Sequence, residues 1–251
     1  MAADRPPDRP DDRQPAEESE ALVAATDAVV GVVALAALGG VLRATSRTSE
    51  RGRSLRRAFG AFFGCVAVAS FAGAALHGLY RDPASVGRRL LWKVSLGAIG
   101  ASAAAGVDAA AALALRGTPA FVARTLAGLA LAAWLVVIAV AAVPYRAVVA
   151  LYAPALAVFG GALASRLRHE TERPTAAIGL LGLGLTVAAA IIQVTGGRVG
   201  PLGRNTLYHA VQAIGLAVLA RSATGLIGDR AREAARQTLR QSRFRSREPA
   251  S

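Results

Sequence analysis

The chain has 251 residues, 54% of them hydrophobic, and a formal net charge of +13. A soluble domain of this length is rarely so apolar. The charge does not point to nucleic acid, because Lys93 is the only lysine and the arginines gather between apolar runs instead of lining one face. Cys65 is the only cysteine, which excludes an intrachain disulfide and a cysteine-based metal knuckle.

Residues 1–20 are rich in Pro, Asp, Glu and Arg and cannot bury a core, so they read as a disordered tail. A cleavable signal would need a basic start and an apolar core, which this segment lacks; the first apolar run is expected to act as the targeting signal. Seven runs follow, at 21–43, 58–80, 90–115, 119–142, 145–165, 175–195 and 205–227. Each comes near the length of about 20 residues that spans a bilayer as a helix. The third carries Lys93 and Asp108 and the fourth Arg124; without them the count falls to about five or six. The pattern predicts an all-α fold, a polytopic integral membrane seven-helix bundle over 21–227. Residues 228–251 form a basic tail, helical in composition to 242, which lies near anionic headgroups or meets a partner.

Small residues recur in the runs. Gly60 and Gly64, and Gly179, Gly182 and Gly184, read as notches for close helix packing. Pro154 falls inside the fifth run and should kink it. Lys and Arg number about 10 on one set of alternate segments and about 19 on the other. The richer set includes the segment from Arg43 to Arg57 and the tail with Arg230, Arg232, Arg236, Arg240, Arg243, Arg245 and Arg247. This places the N-terminus outside and the C-terminus in the cytoplasm of a multi-pass plasma-membrane protein.

Polar residues within the runs are the candidates for function, because such groups are costly in hydrocarbon and face a bundle interior or a water-filled cavity. Asn205, His209 and Gln212 are spaced i, i+4, i+7 and share one helical stripe. Ser70 and His77, one stripe of the second run, fall at the same external depth, with Asp82 just beyond. Asp27, Gln193 and Lys93 lie towards the same side. Asp108 lies deeper, to pair with an Arg or to be hydrogen-bonded. Plainer roles stand beside these: Asn205 as a helix N-cap, Tyr80 and Tyr208 in an interfacial belt, Lys93 and Arg81 reaching for headgroups, and His169 in a surface loop. His77 and His209 fit interior hydrogen bonding, a metal site, or a ligand or proton pathway.

Seven runs, a histidine near the end of the second with an acidic residue after it, and a histidine in the seventh resemble the membrane hydrolase superfamily of alkaline ceramidases and progestin and adipoQ receptors. The segment Asn205-Thr-Leu-Tyr-His-Ala-Val-Gln212 is more closely similar to that of a bacterial membrane family at the edge of this group. The resemblance covers 21–227 in layout but only a dozen residues in motif. It implies a zinc ion as cofactor, with His77, His209 and Asp82 as ligands, and hydrolysis of a lipid amide or ester. The chain departs from the pattern at Ala213, where a second histidine of the seventh run belongs, and at Gly73, where the serine belongs; Ser70 is a turn away.

Three readings follow. One is a non-catalytic or degenerate relative with a polar pocket near the external face, formed by Ser70, His77, Asn205, His209 and Gln212, that binds a lipid or small molecule. The second is a zinc-dependent membrane hydrolase. The third is a small-solute or proton-coupled carrier, which requires a polar path reaching Asp108. Membrane lipids are the expected partners and nucleic acid is not. A retinal protein lacks its lysine in the seventh run, a bis-histidine haem has no supporting motif, and soluble-enzyme motifs are absent. Whether the protein is an enzyme stays open at this point.

Overall fold

A computed structural model describes residues 19–44, 50–80, 82, 84–196 and 202–245, and only the backbone at 145–146 and 229–245. It contains seven helices in chain order: α1 (Glu20–Arg43), α2 (Glu50–Gly78), α3 (Val86–Ala114), α4 (Gly117–Val140), α5 (Tyr145–Arg166), α6 (Arg173–Thr195) and α7 (Arg204–Arg245). All seven are long and apolar enough to cross a membrane. Helices suit these runs because hydrocarbon offers no water to backbone N–H and C=O groups, and a helix satisfies them within the segment. The chain is a seven-helix, all-α membrane protein.

Turn chemistry sets the helix ends. Ser85 caps α3, its hydroxyl accepting from the Arg88 N–H at 3.2 Å. Gly196, at φ 79°, stops α6 with its N–H donating to the Ile192 carbonyl, a left-handed ending that glycine adopts without strain. Two helices run further than their apolar stretches. α2 begins at Glu50, so Arg51, Arg53, Arg56 and Arg57 stand on its first turns and not in a loop. α7 continues past 227 to Arg245. Residues 1–18, 45–49 and the side chains of the arginine-rich tail lie outside the described residues.

Part of the arginine richness at this end of the bundle has a structural use. Arg51 Nε donates to the Ala112 carbonyl at 2.6 Å, and Arg166 Nη2 donates to that of Leu113. Both carbonyls belong to the last turn of α3, which has no intrahelical N–H to accept from. Arg166 also pairs with the buried Glu172 at 3.5 Å. Asp108 does find an arginine: Arg124 Nε lies 2.5 Å from its Oδ1, and Arg124 also donates to Ser54.

Six helices close into a ring in the order α1, α2, α3, α5, α6, α7 and back to α1, while α4 lies outside it and packs chiefly on α3. The Trp134 indole of α4 crosses α3 at Gly100, where a Cβ would come within 2.4 Å of it, and its N–H donates to the Leu96 carbonyl at 2.9 Å. The ring is filled unevenly. At the end that holds the start of α2, Val41, Leu55, Phe59, Phe63, Leu113, Leu163, Leu226 and Ile227 form a dense core. At the opposite end the ring is hollow.

The glycines of α6 explain one side of this asymmetry. A Cβ on Gly182 would lie 2.7 Å from the Leu219 backbone nitrogen and 2.9 Å from the Gly215 carbonyl oxygen. The backbones of α6 and α7 thus meet directly, the approach that small residues permit between membrane helices. Gly184 has nothing within 4 Å of its added Cβ and faces outwards. Gly182→Leu should therefore force α6 from α7 and cost about 1–3 kcal/mol or more, read as a lower thermal midpoint in detergent, whereas Gly184→Leu should leave the midpoint nearly unchanged.

Candidate functional site

The hollow end encloses a cavity of about 860 Å³, within the range of pockets that take a drug-sized molecule. All ring helices line it. α1 contributes Asp27; α2, Ser70, Gly73 and His77; α3, Trp92, Ser95 and Ser102; α5, Tyr152; α6, Thr186 and Gln193; α7, Asn205, Tyr208, His209 and Gln212. Between these polar groups the walls are Val, Leu, Ile and Ala. The five pocket residues expected from the sequence, Ser70, His77, Asn205, His209 and Gln212, thus border one space. No described lining residue is Lys or Arg.

The first and last helices meet across this cavity. His209 Nε2 lies 3.2 Å from Asp27 Oδ1, with both side chains about nine-tenths buried. On its other side, His209 Nδ1 is 3.3 Å from Thr26 Oγ1. Thr26 donates its hydroxyl hydrogen to the carbonyls of Leu22 and Val23, at 3.0 Å each. With its hydrogen so directed, Thr26 offers a lone pair to a hydrogen on Nδ1. Nε2 would then face Asp27 with a lone pair of its own unless a proton sits between them. The pair holds that proton whether it is written as imidazolium and carboxylate or as imidazole and carboxylic acid.

Gly73 makes the space for this carboxylate. A Cβ there would lie 2.5 Å from Asp27 Oδ2. The position at which the hydrolase pattern carries serine is thus left bare, and Asp27 lies against it. Oδ2 has no hydrogen-bond partner among the described residues. Neither has the Ser70 hydroxyl, although Ser70 is only 8% exposed, nor the Gln212 amide. All three residues line the cavity.

His77 is held separately. Its Nδ1 lies 2.5 Å from Glu20 Oε2, at the more exposed mouth. Glu20 and Asp27 are spaced i, i+7, so one stripe of α1 serves both histidines. Asn205 is the second residue of α7 instead of its cap; its Oδ1 accepts from Gln193 Nε2 at 2.8 Å, tying α6 to α7. Gln193 was visible in the sequence as polar but not as the partner of Asn205. Tyr152 and Ser102, unforeseen as site residues, join hydroxyls at 3.3 Å deeper in the cavity.

The expected zinc ligands do not come together. Asp82 is exposed and its Oδ1 accepts the Ala84 N–H at 2.9 Å, a local turn outside the cavity lining. His77 and His209 each turn a ring nitrogen to a different carboxylate. Among the described residues no three His, Cys, Asp or Glu side chains are grouped to hold a metal ion, and a catalytic zinc commonly uses three protein ligands. Asp108 lies outside the lining too, paired with Arg124.

The match to a family falls on the bundle itself: residues 22–227 fit a family of unknown function, DUF6962. The chain belongs to that family. No curated protein and no solved structure matches it significantly. The matched segment contains the whole cavity lining, from Asp27 to Gln212, and stops before the basic extension of α7.

The proton between Asp27 and His209 makes a specific demand on substitutions. Asp27→Asn supplies an amide N–H to Nε2 and should keep the contact, with a small change in thermal midpoint. Asp27→Ala removes the carboxylate from a buried imidazole nitrogen, which costs about 1–3 kcal/mol. Equal destabilisation by the two variants in thermal unfolding would contradict this proton placement.

Proposed function

We propose that this DUF6962 protein is a non-catalytic membrane receptor or binding protein, a degenerate relative of the seven-helix membrane hydrolases, whose cavity holds an amphiphile. The observation that carries the reading is the division of the cavity. Polar groups without hydrogen-bond partners among the described residues, on Ser70, Gln212 and Asp27, gather within apolar walls, as suits a molecule with one polar end and an apolar body.

The side of the ring between α5 and α6 supports access from the bilayer. At the filled end these helices interlock, with Leu163 against Gly179 and Leu183 against Gly160. Towards the hollow end they contribute cavity-lining residues that are themselves exposed: Ala153 and Ala157 on α5, and Val187, Ile191 and Val194 on α6. Their contact is the sparsest along the ring. Pro154 stands in this stretch of α5, where it removes a backbone hydrogen bond. A lipid or apolar solute would pass through this gap without crossing water.

The arginine distribution supports an orientation with the N-terminus outside, which puts the cavity in the external half. Against zinc hydrolysis weighs the donor arrangement: two histidines on separate carboxylates and Asp82 in its own turn. Against a carrier weighs the dense core between the cavity and the opposite face, with Asp108 engaged by Arg124.

Native mass spectrometry of the protein released from detergent tests the reading. About one amphiphile should remain bound per chain. Ala157→Trp, at an exposed position of the gap, should abolish that occupancy without lowering the thermal midpoint of delipidated protein. Chelator treatment should leave both occupancy and midpoint unchanged. Empty wild-type protein would defeat the binding reading, and stoichiometric zinc lost together with stability on chelation would restore the hydrolase.

A further inference from the structure

We infer that the ligand of this cavity is a protonated amine with an apolar body, paired with Asp27; the inference rests on the binding reading and specifies its ligand class. Three observations converge on a cation. Asp27 uses Oδ1 towards His209, while Oδ2 has no hydrogen-bond partner among the described residues and lies at the bare face of Gly73. Trp92, Tyr152 and Tyr208 stand in the same lining, and aromatic faces attract ammonium groups. No described lining residue is Lys or Arg, so none of these residues offers a permanent cation to an anionic ligand.

Two basic side chains near this end are engaged elsewhere. Lys93 Nζ donates to the Ala139 carbonyl of α4 at 2.8 Å, and Arg88 to that of Tyr80 at 2.8 Å. The histidines bring no net positive charge, because each is matched to a carboxylate, His77 to Glu20 and His209 to Asp27. An anion arriving here would meet these two carboxylates with no spare cation among the described lining residues, a costly arrangement in a low-dielectric site.

An ammonium fits the Asp27–His209 pair chemically. It carries three N–H donors and a full positive charge. It replaces the shared proton, donating to His209 Nε2 and to Asp27 Oδ2, while the displaced proton leaves to water. His209 stays neutral with its hydrogen on Nδ1, fixed towards Thr26. Ser70 and Gln212 are left to solvate the remaining polar atoms of the head. The alkyl body lies along the apolar walls towards the α5–α6 gap.

Three probes of equal chain length separate the possibilities: octylamine, octanol and octanoate. Each is titrated calorimetrically into full-length protein in phosphatidylcholine nanodiscs, with empty discs subtracted. Wild type should bind octylamine at least tenfold more tightly than octanol, with octanoate weakest. Asp27→Asn should bring octylamine to the level of octanol while octanol binding persists. His209→Gln, which keeps the carboxylate, should retain the amine preference, and it carries the test should Asp27→Asn fail to fold. Octanol or octanoate binding as tightly as octylamine would overturn the amine inference and leave the amphiphile reading standing. Amine preference surviving in Asp27→Asn, or vanishing in His209→Gln, would also overturn it. Wild type binding none of the three would overturn both.

Discussion

A carboxylate buried between membrane helices needs a partner, and that need joins the two ends of this chain. Asp27 of α1 meets His209 of α7 at 3.2 Å, and the ring α1–α2–α3–α5–α6–α7 closes at this contact. The cost of burying either group alone is large. The pair therefore fixes which face of α1 and which face of α7 turn inwards. Gly73 on α2 and Thr26 on α1 serve the same pair, one by leaving space for the carboxylate and the other by orienting the imidazole.

The two ends of the bundle are built differently. At one end Phe, Leu, Ile and Val side chains interlock, and Arg51 and Arg166 meet the last carbonyls of α3. That end is rigid by packing and by satisfied backbone groups. At the other end the same helices separate around polar groups. α6 can lean against α7 because Gly182 and Gly215 bring their backbones together, while its contact with α5 stays sparse. A closed core beneath an open cavity suits a molecule held from one side of the membrane.

The chemistry of the cavity is set by what each histidine faces. In a zinc hydrolase the ring nitrogens would converge on one ion; here His77 and His209 address Glu20 and Asp27. Both acids come from α1, two turns apart. The site thus draws its carboxylates from the first helix, and Asp82 after α2 belongs to a turn.

The sequence by itself determined the class of the protein: seven apolar runs of bilayer length require seven helices, since hydrocarbon leaves the backbone few alternatives. Helical spacing also placed Asn205, His209 and Gln212 on one stripe, and burial cost directed Ser70 and His77 to the interior. These properties are local, because period and polarity can be read along one segment. The helix ends at Glu50 and Arg245 were less legible, since arginine is compatible with a helix, a loop or a tail. Partnership was decided only in the tertiary structure. Asp27 and His209 are separated by most of the chain, Glu20 and His77 lie on different helices, and no periodicity connects either pair. Asn205 looked like a cap until Gln193 of the neighbouring helix was seen to bind it. Gly73 looked like a lost serine until Asp27 was found against it. Hydrogen bonds and close contacts depend on the rotation and spacing of whole helices, which packing fixes and which the order of residues in one helix does not encode.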